Sequence, residues 1–229
     1  MAAPGRGVLF DFNGTLIFDT PIQHEAWSEM AVELRGRGFE ADEFLMLNGR
    51  TNVQLLEHII GRKPSASEIE AVAEKKESIY RNALSKANIP LTPGAAELFD
   101  SLKAAGVPFT IATSSGLRNV QFFLETYRLD RWFDLEHIVY NDGTFRGKPN
   151  PDIFRIAAGR IGADIAQCVV FEDTTSGITA AHAAGAPTIY GLLSGTPKEE
   201  LLAVPGCTTV IPDFVGLTAE SIFVRPSQN

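Results

Sequence analysis

The chain has 229 residues, 45% of them hydrophobic and 21% charged, with 28 acidic against 20 basic side chains and a formal charge of −8. This is ordinary globular usage with apolar material for a sizeable core, which excludes a disordered chain, and the acidic balance excludes a general binder of nucleic-acid backbone. No window approaches ~18 uninterrupted apolar residues, and Cys168 and Cys207 are too few for a disulfide framework or zinc cluster, so the expectation is a cytoplasmic protein without a membrane partner.

Gly7 to Phe12 is a short apolar run broken by one acid, Asp11, and it stops at the turn signal Asn13-Gly14, as a buried parallel strand does. From Asp19 to about Ala87 the pattern turns helical. Thr20-Pro21 opens a first helix that should stop near Gly36 or Gly38, Thr51 opens a second that ends at Gly61, and the capping box Ser65-Ala66-Ser67-Glu68 opens a long third. After Pro90 the chain alternates. Helices are predicted at 95–105, 117–127, 152–161 and 178–184, and strands at 107–113, 138–140, 168–172 and 188–190. Asp142-Gly143 reads as the hairpin turn of a flap. Repeated β–α units imply a doubly wound parallel α/β sheet. The helical block interrupts that sheet after its first strand, so a core domain of residues 1–17 and 91–229 with a small α-helical domain inserted at 18–90 is predicted.

Ligands of open α/β sheets bind beyond the carboxyl ends of the strands. Those ends carry Asp11 to Thr15, Thr113-Ser114-Ser115 and Glu172-Asp173, with Lys148-Pro149 following the loop at Asn141. Three acids in one crevice would repel one another, so a hard cation with oxygen ligands, Mg²⁺ best, is the physical expectation, and Lys148 would neutralise an anion.

These four ordered motifs, Asp11-Phe12-Asn13-Gly14-Thr15-Leu16, Thr113, Lys148-Pro149 and Glu172-Asp173, resemble those of the haloacid dehalogenase superfamily. The inserted helical block resembles its helical-cap subfamily, which includes β-phosphoglucomutase and sugar-phosphate phosphatases. The resemblance implies a Rossmann-like fold and makes Asp11 a nucleophile that forms an aspartyl-phosphate. It implies that Asp11, the backbone carbonyl of Asn13 and Asp173 ligate Mg²⁺, with Glu172 a direct or water-bridged ligand. Thr113 and Lys148 would hold the transferring phosphoryl group, with Ser114 beside them. The cap would choose the substrate, and His24, Arg50 and Lys76 are its candidate contacts. A monomer acting on a small phosphorylated metabolite is expected.

Asn13 departs from the family pattern, which has a second aspartate there as general acid and base. An amide cannot shuttle a proton, and that help is worth roughly 10²–10⁴ in rate. Three readings stay open: a lineage that handles good leaving groups or uses another base, an Asp-to-Asn exchange that traps a complex, or a phospho-ligand-binding module. Asn13-Gly14 is also prone to deamidation. Within the family, the Leu47 to Asn52 loop lacks the lysine of a phosphonoacetaldehyde hydrolase. Asn48 and Asn52 replace the cations with which the mutase grips a second phosphate. A phosphatase survives best.

Overall fold

A computed structural model of the protein describes residues 5–40, 43 and 51–224. Arg50 and Asn48 therefore lie outside the described residues. The chain divides into two compact units, Met1–Phe18 with Pro90–Asn229 and Asp19–Ile89.

The Asp19–Ile89 unit contains α1 (Thr20–Arg35), α2 (Asn52–Ile60) and α3 (Ala66–Ala87). Its helix ends are written in sequence. Pro21 sits in the first turn of α1, and Gly36 and Gly61 close α1 and α2 in the left-handed conformation. Both α2 and α3 open with capping boxes, Thr51 with Gln54 and Ser65 with Glu68. Trp27, Met30 and Ala31 of α1 pack with Leu55, Leu56 and Ile59 of α2 and Val72 of α3, three stripes too apolar to stay in water. Buried at the start of α1, the Asp19 carboxylate accepts the Tyr80 hydroxyl of α3 at 2.5 Å and Gln23 Nε2 at 3.3 Å.

The other unit is built on five strands, β1 (Gly5–Phe10), β2 (Phe109–Ile111), β3 (Ala163–Glu172), β4 (Thr188–Leu192) and β5 (Thr209–Ile211). They run parallel in the order β2-β1-β3-β4-β5. The connecting helices are α4 (Ala95–Ala104), α5 (Leu117–Tyr127), α6 (Asp152–Arg160), α7 (Thr175–Ala184) and α8 (Lys198–Ala203). Alternation along the central strands feeds two different cores. Leu9 and Val170, paired in register, pack with Ile153, Phe154, Ala157, Ile178 and Ala181 of α6 and α7. Their neighbours Phe10 and Phe171, also paired, stack with centroids 5.1 Å apart and meet the edges of Phe214 and, for Phe10, Phe99 of α4. Each such ring pair is worth about 0.5–1.5 kcal/mol beyond its buried area. Helices on both faces of a parallel sheet make this the doubly wound α/β fold.

Three local expectations change. The strand at 138–140 shrinks to a single bridge, Ala112 to Val139, flanked by the Asn141 N–H donating to the Ser115 carbonyl at 2.9 Å. The Asp142-Gly143 hairpin is a turn without paired strands: Asn141 Oδ1 accepts the Gly143 N–H and Asp142 Oδ1 the Thr144 N–H, so side chains replace the ladder. β3 begins at Ala163, five residues before the apolar run at Cys168, because its first half is carried by pairing with Gly5 rather than by burial.

Candidate active site

The sequence around the first strand end sorts its side chains by alternation. Asp11 follows β1 directly, and its N–H donates to the Phe171 carbonyl at 2.9 Å, which extends the sheet by one bond. Phe12 is buried against Phe123 of α5, ring centroids 4.0 Å apart. With Phe12 committed to that core, the side chains two apart, Asp11 and Asn13, share the other direction. The chain then turns sharply. Gly14 has φ +77° and donates its N–H to the Ile17 carbonyl at 2.8 Å. A Cβ at Gly14 would lie 2.0 Å from Asp173 Oδ2, so only glycine allows the first and third strand ends to approach this closely.

Lys148 joins those strand ends. Its ammonium donates to Asp11 Oδ1, and to Glu172 Oε1 at 2.5 Å, with all three residues buried. Glu172 closes β3, and its other oxygen accepts three donors, the Asp173 N–H at 2.8 Å, the Thr174 N–H at 2.9 Å and the Thr174 hydroxyl at 3.0 Å. Asp173 is held from two further loops, with Oδ2 accepting the Ser194 hydroxyl at 2.8 Å and Oδ1 the Thr15 hydroxyl at 3.4 Å. Thr174 then caps α7 through the Gly177 N–H.

One ammonium thus bridges two of three buried carboxylates. Burial works against the charge on Lys148, but the Asp11 and Glu172 carboxylates outweigh it and hold the ammonium above the usual lysine range. Asp173 goes the opposite way for a carboxyl. Burial first, and then the charges of Glu172 and Asp11, push it well above its ordinary value against the help of Ser194 and Lys148. An acid this crowded calls for more positive charge than one lysine supplies.

Thr113 is buried two residues past β2. Its N–H donates to the Val139 carbonyl at 2.9 Å, and its hydroxyl oxygen accepts the Ser115 N–H at 3.1 Å. Ser114 between them is exposed. The Ser115 hydroxyl donates to Asn13 Oδ1 at 2.9 Å, a contact across 102 residues that ties the second strand end to the first. Asp11, Lys148, Glu172 and Asp173 are therefore linked by hydrogen bonds at neighbouring strand ends, and Asn13 and Thr113 are linked to each other through Ser115. His24 and Lys76 belong to the helical unit: His24 is half-buried on α1, and Lys76 on α3 is buried, 2.9 Å from Glu77 Oε1 and 5.4 Å from the centres of the Trp27 and Tyr80 rings.

Sequence reasoning missed Ser115 as the partner of Asn13, and it missed Ser194, Thr174 and Gly177. Ser194 follows β4 just as Asp173 follows β3, so the rule of strand ends could have found it. Gly177 carries no signal in one sequence, since a helical glycine has many causes.

A family model for haloacid dehalogenase-like hydrolases matches residues 6–185. The chain is 27% identical over 210 residues to a phosphorylated carbohydrates phosphatase of Thermotoga maritima, covering 90% of this chain and 94% of that one. It is 31% identical over 185 residues to hexitol phosphatase A of Escherichia coli, covering 80% and 82%. Among solved structures it superposes on a family IA, variant 3 hydrolase from Entamoeba histolytica with a TM-score of 0.90 and 49% identity, covering 95% and 97%. The four motifs, the sheet that gathers them and these matches agree, and the chain belongs to the haloacid dehalogenase-like hydrolases.

Proposed function

We propose that this hydrolase, an enzyme acting on phosphoester bonds, transfers a phosphoryl group from a small phosphorylated metabolite to Asp11 and then to water. A phosphorylated sugar or polyol is the substrate class that the Thermotoga and Escherichia relatives suggest. The observation that carries the reading is the bridge from Lys148 to both Asp11 and Glu172. A cation held beside the nucleophile lets a carboxylate approach an anionic phosphorus, and phosphoryl transfer depends on such alignment and charge stabilisation more than on any other device.

The donor set fits Mg²⁺, which binds through one or two carboxylates and keeps several waters. Among the described residues no three His, Cys, Asp or Glu side chains form a ready-made cage. Glu172 spends both oxygens on Lys148, Asp173 and Thr174, so Asp11 and Asp173 would be the side-chain ligands, with the Asn13 carbonyl as a third donor and Glu172 acting through water at most. When bound, the ion would add the positive charge that the three carboxylates lack and would orient the phosphoryl oxygens. Thr113 and Lys148, with Ser114 next to them, would hold those oxygens. We assign the helical unit the part of a cap that admits substrate and excludes water, with His24, Arg50 and Lys76 as its contacts. Among the described residues no helix is long and apolar enough to cross a membrane, and both cysteines are free thiols, which suits a cytoplasmic enzyme.

The test is release of inorganic phosphate from p-nitrophenyl phosphate with and without Mg²⁺, for this chain and for Asp11→Asn. Metal-dependent release that Asp11→Asn abolishes is expected. Release that survives in Asp11→Asn would remove the nucleophile from this reading.

A further inference from the structure

We propose that Phe154 is a positioning residue of this site: the face of its ring carries the Lys148 ammonium and keeps in place the donor that the carboxylates leave over for the phosphoryl group, a role that rests on the phosphatase reading above. The alternation of the sheet brings the two side chains together. Leu9 and Val170, paired in register, lie two residues before Asp11 and Glu172, so all four leave the sheet on one face. That face passes from apolar core to paired acids within a single pleat. Phe154, fully buried in the first turn of α6, packs with Leu9 and Val170, and Lys148 bridges Asp11 and Glu172 just beyond them. The connection is short: the Asn150 N–H and side-chain NH₂ both donate to the Gly147 carbonyl, at 3.1 and 3.0 Å, which folds the chain back between Lys148 and α6. The ammonium therefore stands over the Phe154 ring, 5.2 Å from its centroid, where the dry core ends and the charge of the site begins.

A cation within about 6 Å of a ring is drawn to the negative face of its quadrupole, and the attraction grows when both groups are out of water. Both are here, with Phe154 fully buried and Lys148 only 7% exposed. A lysine ammonium has three donors and no acceptor. Among the described residues Asp11 and Glu172 take two of them, and one remains for a phosphoryl oxygen. The two carboxylates leave open how deep the ammonium sits, because it hangs on a flexible four-carbon stem. A ring face beneath the charge fixes that depth. Sinking meets the ring, and rising forfeits the attraction. An aliphatic side chain of similar bulk would supply only the first restraint. Phe154 thus serves the site through its π electrons as well as its volume, which separates this role from core packing.

The experiment installs 4-methylphenylalanine or 4-chlorophenylalanine in place of Phe154 in the full chain. The two substituents have nearly the same volume, but methyl enriches the ring face and chlorine depletes it. A side chain that only packs treats them alike. In urea, without metal or phosphate, the folded state should be favoured about two- to fourfold more in the methyl variant than in the chloro variant. Affinity for inorganic phosphate in Mg²⁺, and kcat/KM on p-nitrophenyl phosphate, should differ in the same order by about as much. Phenylalanine against 4-fluorophenylalanine makes the same comparison with almost no added bulk, should a larger ring tip prevent folding, and the fluoro variant is expected to be the weaker on each readout. Equal unfolding and equal phosphate affinity within the pair overturn the proposal. A difference in unfolding with equal phosphate affinity overturns the positioning role, since the ring would then hold the ammonium without serving the site. No phosphate release by the native chain overturns the phosphatase reading, while the order in unfolding and in phosphate affinity still decides for or against Phe154.

Discussion

Gly177, in the first turn of α7, lies so close to Glu172 that a Cβ built on it would sit 1.8 Å from Oε1, the oxygen that holds Lys148. Helix propensity alone favours alanine here by roughly 0.5–1 kcal/mol. Steric overlap with a buried, fully engaged carboxylate decides the other way. Gly177→Ala should destabilise the protein by about 1–3 kcal/mol, as overpacking does, and should abolish most phosphate release by moving Glu172 off Lys148. Gly159 of α6 is the control, because nothing lies within 4 Å of its built Cβ. Gly159→Ala should leave activity unchanged and stability equal or slightly higher. Thermal unfolding and phosphate release on both variants check the pair, and a Gly177→Ala enzyme as stable and active as Gly159→Ala would refute the packing argument.

Asp173 gives a prediction in which stability and function oppose each other. Its carboxyl is raised by burial and by the charges of Glu172 and Asp11. The sign follows from linkage: the folded state holds this proton more tightly than the unfolded chain, so the contribution is complete below the ordinary aspartate pKa and is lost as pH rises through the folded value. Carrying a charge at this position is therefore a burden on the metal-free protein. Asp173→Asn should raise the unfolding temperature at pH 7 in the presence of chelator and narrow the gap at pH 4. Added Mg²⁺ should stabilise the wild type and not the variant, and phosphate release should be lost. Calorimetry at the two pH values, with and without Mg²⁺, reads all three. A variant less stable than wild type at pH 7 would sink the account.

Much of this was written in the sequence, for identifiable reasons. The strands that carry the site are apolar runs stopped by polar clusters, Phe10 before Asp11 and Phe171 before Glu172, and burial on both faces leaves such runs no other role. Helix starts were legible at the capping box Ser65-Glu68 and at Thr51, whose partner Gln54 the structure adds. The edge of the sheet was not. β5 is three half-buried residues whose pairing depends on Tyr190 to Leu192 across the ladder, and no local pattern announces that partner. Within the site the acids stood out because each lay at a strand end, and Lys148 because it precedes Pro149 in the loop before α6. Ser115 and Ser194 did not, since a serine near a turn is ordinary and only its partner, 102 or 21 residues away, gives it meaning.

In the helical unit the bond from Tyr80 to Asp19 joins α3 to the first residue of that unit. Both groups are buried, and a buried carboxylate that loses a donor bears the desolvation cost. Tyr80→Phe should cost about 1–3 kcal/mol of stability. A double-mutant cycle with Asp19→Asn isolates the bond from the packing of the ring. The two changes should fall short of additivity by on the order of 1 kcal/mol in urea unfolding. Additivity would assign the loss to ring packing alone.

Asn13-Gly14 is a sequence that deamidates readily in a mobile chain, and conversion to aspartate would create the acid that Asn13 lacks. The fold opposes it. Succinimide formation needs the Gly14 nitrogen to reach the Asn13 side-chain carbon, and that nitrogen is instead hydrogen-bonded to Ile17 at 2.8 Å while Ser115 holds the amide oxygen. Folded protein kept at mildly alkaline pH should retain Asn13, whereas the same chain in urea should convert it, as peptide mapping by mass will show. Ser115→Ala should speed conversion in the folded state, because it releases the amide without touching Gly14. Turnover of an alkyl phosphate should then rise with the converted fraction. Equal rates of conversion in the folded and unfolded chains would show that neither hydrogen bond restrains the turn.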